Sequence, residues 1–154
     1  MFWVCNLAAL LIGPGVLARS PQLCITGLTW IAPGTVVWLL DTVVAGSNIL
    51  PTSWGVHVGG SIAAVYGVRR AGYAPNTFWL TGALPLAAIF FSRLALPADR
   101  NVNGAHSVPR GWSFLGDSWW SFLGVSTLIC FAMVGLGLLA ARAITARSAR
   151  SDRG

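Results

Sequence analysis

Hydrophobic positions along the chain come in long unbroken blocks, not in the alternation of a half-buried strand or the one-sided stripe of a surface helix. The blocks cover residues 2–18, 23–40, 54–68, 78–96 and 119–140. Between them stand the punctuating residues Arg19-Ser20-Pro21, then Asp41 with Gly46-Ser47-Asn48 and Pro51, then Arg69-Arg70 with Gly72, and last a polar stretch over residues 97–113. Blocks of this length, apolar on every face, predict helices surrounded by hydrocarbon, because only helices and closed barrels satisfy their own backbone inside a bilayer. The pattern therefore predicts an all-α polytopic membrane bundle of about five transmembrane helices. Three blocks carry internal prolines, Pro14, Pro33 and Pro85. Each removes one backbone donor and pushes away the carbonyl four residues back (Thr29 for Pro33), so a kink is expected there.

Composition agrees with the pattern. Of 154 residues, 55% are hydrophobic and 9% charged, against roughly 25% charged in an ordinary soluble domain. With a mean hydropathy of +0.70, the chain has too little charge to clothe a water-soluble globule, which argues against a soluble enzyme, a disordered tail or a secreted disulfide scaffold. Cys5, Cys24 and Cys130 lie inside apolar blocks with no CxxC or Cys/His spacing, so they read as small packing residues. The opening Met1-Phe-Trp-Val-Cys-Asn-Leu has no basic region and does not look like a cleaved signal peptide.

Charge sets the expected orientation. All ten basic residues are arginine and all four acids aspartate. With the N-terminus outside and the C-terminus inside, the inner segments hold Arg19, Arg69, Arg70, Arg142, Arg147, Arg150 and Arg153. The outer ones hold Arg93, Arg100 and Arg110, offset by Asp41, Asp99 and Asp117. This is the positive-inside bias at every inner loop. It predicts a single transmembrane domain over residues 1–141, followed by an Arg-rich cytoplasmic tail, 142–154. There Arg142, Arg147 and Arg150 would anchor to anionic lipid headgroups. Trp54, Trp112, Trp119 and Trp120 then fall at the outer interface. The arginines form no single exposed stripe, so nucleic acid is not an expected partner. Arginine in place of lysine, with abundant Ala and Gly, is a composition associated with GC-rich bacterial genomes, and the expected location is a bacterial cytoplasmic (inner) membrane.

That topology gathers an outer polar cluster: Asp41, Arg93, Asp99, Asn101, Asn103 and Asp117, with Asn48, Arg110 and both histidines nearby. The plain expectation is that Arg93 pairs with Asp41 or Asp99 and caps a loop. His57 shares one helical face with Ser53, Gly60, Ser61 and Ala64, beside a packing stripe of Gly55, Gly59, Ala63 and Gly67 at fourth-residue spacing. Two readings follow. One is close helix packing with an interhelical histidine hydrogen bond. The other is His57 Nε2 binding the metal of a planar ring, a haem or pigment, with the small residues making room. The Ser53-x-x-x-His57 spacing resembles the ligand helix of bacterial light-harvesting polypeptides over those five residues; such polypeptides generally have one span, so no function is carried over. A metal site would draw on His57, His106 and an Asp, but no HExxH or GxSxG motif occurs, and the sequence requires no cofactor. The function expected is a non-enzymatic structural or accessory subunit of a larger inner-membrane complex, with lipids and membrane proteins as partners. A small transporter or channel with an outer polar site is the alternative, and a metal-dependent membrane hydrolase the third reading.

Overall fold

The computed structural model describes residues 4–45, 51–101, 104–108 and 112–151; 85% of them are helical, with no strand among them. Helix α1 is Val4–Leu17 and α2 is Pro21–Ala45. Residues 51–71 form one composite helix, α3, in which the turn Pro51–Trp54 passes through a π-helical segment, Gly55–Gly59, into Gly60–Ala71. Helix α4 is Thr77–Ala95 and α5 is Trp119–Ser151. Single 3₁₀ turns, Ala98–Arg100 and Ser113–Leu115, lie in the connection between α4 and α5.

The turn from α1 to α2 shows how local sequence sets this geometry. Ala18 and Ser20 donate to the carbonyls of Pro14 and Gly15 at 2.8 and 2.9 Å, and Arg19 takes a left-handed φ of 49°. Pro21 then opens α2 at a position where its missing N–H has no helical partner to lose. So short a connection makes α1 and α2 antiparallel neighbours, and small residues bring them close. A Cβ on Gly15 would lie 3.0 Å from Cys24 Sγ, and one on Gly27 would collide with Ile12. Helix α3 packs on the same pair: a Cβ on Gly67 would come within 2.8 Å of Cys24 Sγ and 2.9 Å of Val16. The core is accordingly built of Ala8, Ile12, Cys24, Ile25, Leu28, Ile31, Ala64, Val68 and Val134.

Helix α2 also meets α4 and α5, and here the prolines matter. Helices α1, α2 and α4 run on through Pro14, Pro33 and Pro85 respectively. Pro85 cannot donate to the carbonyl of Thr81, and that carbonyl is buried. The Trp30 indole Nε1 of α2 donates to it instead, at 2.9 Å, while the Thr26 and Thr81 hydroxyls lie 2.9 Å apart. A backbone acceptor released inside one helix is thus satisfied by a side chain of another, as an apolar interior requires. On α5, Gly137 lets the Thr29 side chain seat against the backbone, and Gly82 of α4 does the same for Phe131.

Large apolar side chains point outward. Leu94 is 88% exposed and Leu128 72%, whereas Thr26, Thr77 and Thr81 are fully buried. Among the described residues, two helices are long and apolar enough to cross a membrane, Thr77–Ala95 and Trp119–Ser148. Val4–Leu17 is a shorter apolar helix, with 14 described residues. The described residues thus give two candidate spans where the apolar blocks suggested five. The ends differ from expectation as well. Helix α2 continues beyond residue 40, so the backbone at Asp41 is helical, and α5 continues beyond residue 140 to Ser151. Neither Gly nor Pro follows Gly137 before the end of α5, and Ala and Arg are strong helix formers, so Arg142 and Arg147 stand exposed on a helix rather than a free tail.

Replacing Trp30 with Phe leaves the Thr81 carbonyl buried without a donor and should destabilise the fold by about 1–3 kcal/mol. Pro85→Ala returns an N–H to that carbonyl, so the double variant should recover most of the loss. Unfolding of the four proteins in detergent micelles, read by circular dichroism, checks both; simple additivity would contradict the pairing.

Candidate functional site

Three features of the bundle could carry function: the π turn around His57, the loop between α4 and α5, and a groove between α1 and α3.

The π turn Gly55–Gly59 begins and ends on glycine and holds His57 at its centre. Widened turns of this kind occur often at functional positions. His57 is 7% exposed. Its imidazole stacks on the Trp38 indole with centroids 4.8 Å apart and planes 8° from parallel, and Trp54 meets Trp38 edge-on at 5.2 Å. The bond from α2 goes to the backbone: Thr35 Oγ1 is 3.1 Å from the His57 carbonyl, 2.8 Å from that of Ile31 and 3.1 Å from Ser61 Oγ. One hydroxyl proton serves one carbonyl at a time, so Thr35 donates to either carbonyl and can accept from Ser61. His57 Nδ1 is buried with no hydrogen-bond partner among the described residues. The face of α3 carrying His57, Ser61 and Ala64 thus packs on α2, but the histidine holds α2 by ring stacking and its backbone oxygen, not by the side-chain hydrogen bond the sequence suggested.

In the α4–α5 connection, Asn101 adopts a left-handed φ of 37°, a conformation its short polar side chain tolerates. Its Oδ1 accepts from the backbone N–H groups of His106 and Ser107 at 2.9 and 3.0 Å, and its Nδ2 donates to the Ser107 carbonyl at 3.1 Å. Two side chains tie this loop to the helix ends. Arg93, in the last turn of α4, donates to the Ala105 carbonyl at 2.7 Å and lies 4.0 Å over the Trp119 ring. Trp119, at the start of α5, donates from Nε1 to the Gly104 carbonyl at 2.9 Å. His106 Nε2 is 3.1 Å from the Leu96 carbonyl. A carbonyl only accepts, so Nε2 carries the proton in that bond.

Of the expected outer cluster, Arg93 and Asn101 meet in this lattice, while Asp99 and Asp117 are exposed outside it. The side chains of Asp41 and Asn103 lie outside the described residues, as do Asn48, Arg110, Arg153 and the side chain of Arg150. Arg93 is a loop cap, but its described partners are a carbonyl and an indole face, not an aspartate. Trp119 is the member that sequence reasoning missed. Its place at the head of an apolar block suggested an interfacial anchor, and only the fold turns its N–H toward a loop fifteen residues back. Among the described residues no three His, Cys, Asp or Glu side chains gather to hold a metal ion; His57 and His106 belong to separate clusters.

The small-residue stripe on α3 divides in two. Gly67, at its inner end, is closed against Cys24 and Val16, whereas a Cβ on Gly55 or Gly59 would meet nothing within 4 Å. Those two glycines and Ala63 line an open apolar groove of about 670 Å³, with Ala9, Ile12 and Gly13 of α1 on its opposite wall. His57 is not in its lining, so a ring seated there would not be ligated by this imidazole. Compared with known proteins, the chain matches no family model, no curated protein and no solved structure.

Asn101→Ala removes both amide acceptors and places a Cβ residue without a polar side chain in the left-handed region. The amides of residues 106 and 107 should then exchange with solvent deuterium about ten-fold faster or more, with the amides of α1–α3 unchanged. Exchange measured by mass spectrometry reads this directly.

Proposed function

We propose that this protein is a small integral membrane protein with five crossing helices, N-terminus outside, acting as a non-enzymatic accessory subunit of a larger assembly in a bacterial cytoplasmic membrane. The observation that carries the reading is α5. Only 11% of its apolar window is buried inside the structure, against 33% for α4. The core helix of a soluble protein would be mostly covered. On α5, Val125, Leu128, Ala132, Leu136 and Leu139 are all exposed. At spacings of three and four residues they form one stripe along the helix. A bare stripe of this composition belongs against lipid or against a partner helix.

The inside-out distribution of the side chains supports the same reading, as does the arginine bias toward one side. Catalysis has less to draw on. Among the described residues the buried polar side chains are Thr26, Thr29, His57, Thr77, Thr81 and Ser92, and none carries a carboxylate or guanidinium. Transport through a single copy would need a polar path between helices, whereas the groove between α1 and α3 is open and apolar. The polar loop at Asn101 is bonded to itself and to the helix ends, so its groups brace the connection between α4 and α5.

Two measurements test the proposal. The chain should stay in the membrane pellet through alkaline carbonate, and release into the soluble fraction would defeat membrane integration. Native mass spectrometry after mild detergent extraction from the source cells should show the chain with a second protein. Leu128→Ala with Leu136→Ala should reduce that co-purification at least ten-fold without altering carbonate resistance. A chain recovered only by itself would defeat the subunit reading while leaving membrane integration standing.

A further inference from the structure

Among the described residues, the two helices long and apolar enough to cross a membrane are α4 and α5, and one connection joins their neighbouring ends. Arg93, in the last turn of α4, lies 4.0 Å over the ring of Trp119, in the first turn of α5. Where both helices cross, these ends share one face of the bilayer, and the loop sits at that face. The last part of the loop folds back along α5. A Cβ on Gly116 would collide with Ser121 and lie 2.7 Å from the Phe122 nitrogen, so glycine is needed for this approach. Ser121 and Phe122 follow Trp119 by two and three residues, about 3–5 Å along the helix axis. The 3₁₀ turn Ser113–Leu115, just before this contact, is thus held beside the first turn of α5, at the level where its apolar block begins. The outward face of the turn is aromatic. Phe114 is 76% exposed and stacks on the exposed Trp112, with ring centroids 5.8 Å apart and planes 25° from parallel. Trp119 does not join them, because its N–H serves the Gly104 carbonyl and Arg93 covers its ring.

We propose that the turn Ser113–Leu115 is a lipid-interface wedge, with the stacked Trp112 and Phe114 rings seated in one leaflet at the boundary between headgroups and acyl chains. Three observations select that occupant. The turn is tied to the adjoining ends of the two candidate spans, so a bilayer crossed by them lies beside it. Those ends also present apolar side chains outward, Leu94 on α4 and Trp120 on α5, so lipid that covers them reaches the level of the turn. Finally, Ser113, Asp117 and Ser118 are exposed in the same segment. A carboxylate is costly at the hydrocarbon centre but is hydrated at headgroup level, where aromatic rings collect. Rings and polar groups side by side therefore match the interface better than either water or the membrane interior. The inference rests on the membrane reading above. It adds which aromatic side chains meet lipid, and it makes the end of the α4–α5 connection part of the membrane-contacting surface.

The test is spin-label accessibility in the full chain reconstituted into phosphatidylcholine vesicles, in a background carrying Cys5→Ala, Cys24→Ala and Cys130→Ala. Single labels go on Phe114→Cys, on Leu128→Cys in the exposed stripe of α5, and on Asp99→Cys in the first 3₁₀ turn of the loop. Oxygen concentrates in hydrocarbon, whereas a nickel chelate stays in water. The oxygen-to-nickel ratio at position 114 should be shifted away from that at 99 and toward that at 128. A ratio at 114 equal to that at 99, with 128 reading hydrocarbon, would overturn the wedge and leave the membrane reading standing. Poor access of both reagents to 114 would assign the rings to a protein neighbour and overturn it equally. A label at 128 that reads water would overturn the membrane reading itself. Circular dichroism confirms that each variant is folded. If the cysteine-free background is not, 5-fluorotryptophan in the otherwise native chain serves instead. The fluorine resonance lost in Trp112→Phe should be broadened by a lipid spin-labelled near its headgroup and spared by an aqueous gadolinium chelate, and the opposite pattern would overturn the proposal.

Discussion

On the membrane reading, helices in hydrocarbon gain nothing from hiding leucine from leucine, so what holds such a bundle together is the close approach of backbones and the pairing of most polar groups left between them. Both conditions meet on α2. Its Gly27 admits Ile12 of α1, and its Cys24 fits against Gly15 and Gly67. Its Thr26 and Trp30 reach Thr81 of α4, and its Thr29 seats on Gly137 of α5. The Trp30–Thr81 bond is the sharpest case. A proline that would ordinarily leave a carbonyl stranded becomes a point of attachment between two helices, because the acceptor it frees faces an indole N–H.

The same requirement shapes the polar groups toward the ends of the bundle. Asn101, Arg93 and Trp119 satisfy the backbone of the α4–α5 loop, and Thr35 with Ser61 serves the widened turn at His57. A guanidinium used by a carbonyl and an indole face is not poised for a substrate. Bare apolar surface remains on the outward stripe of α5 and along the groove between α1 and α3.

Like Thr29 Oγ1, the buried Nδ1 of His57 has no hydrogen-bond partner among the described residues. It is enclosed by a Trp38 ring nearly parallel to its own, and the stacking area offsets part of the cost of the missing hydrogen bond. Stacked in this way, the imidazole packs α3 against α2.

Much of the helical architecture was legible from the order of residues. Apolar blocks broken by Arg, Pro and Asp place the helices, since the need to satisfy a backbone locally depends on near neighbours alone. The turn at Arg19–Pro21 and the left-handed Asn101 are readable for the same reason. Spans were harder to count, because an apolar block says nothing of how much of it other helices cover. Contacts between distant residues were out of reach altogether. Gly55, Gly59 and Gly67 are alike in a sequence pattern, yet the tilt of α1 closes one and leaves two open. Arg93 sits near three aspartates by charge count, but the path of the chain offers it Ala105 and Trp119. Sequence alone determined composition, charge asymmetry and helix placement, all of which follow from local chemistry. Tertiary structure decided which small residues touch, which freed carbonyl finds a donor and where apolar surface stays bare, because those depend on the relative placement of helices that no local pattern encodes.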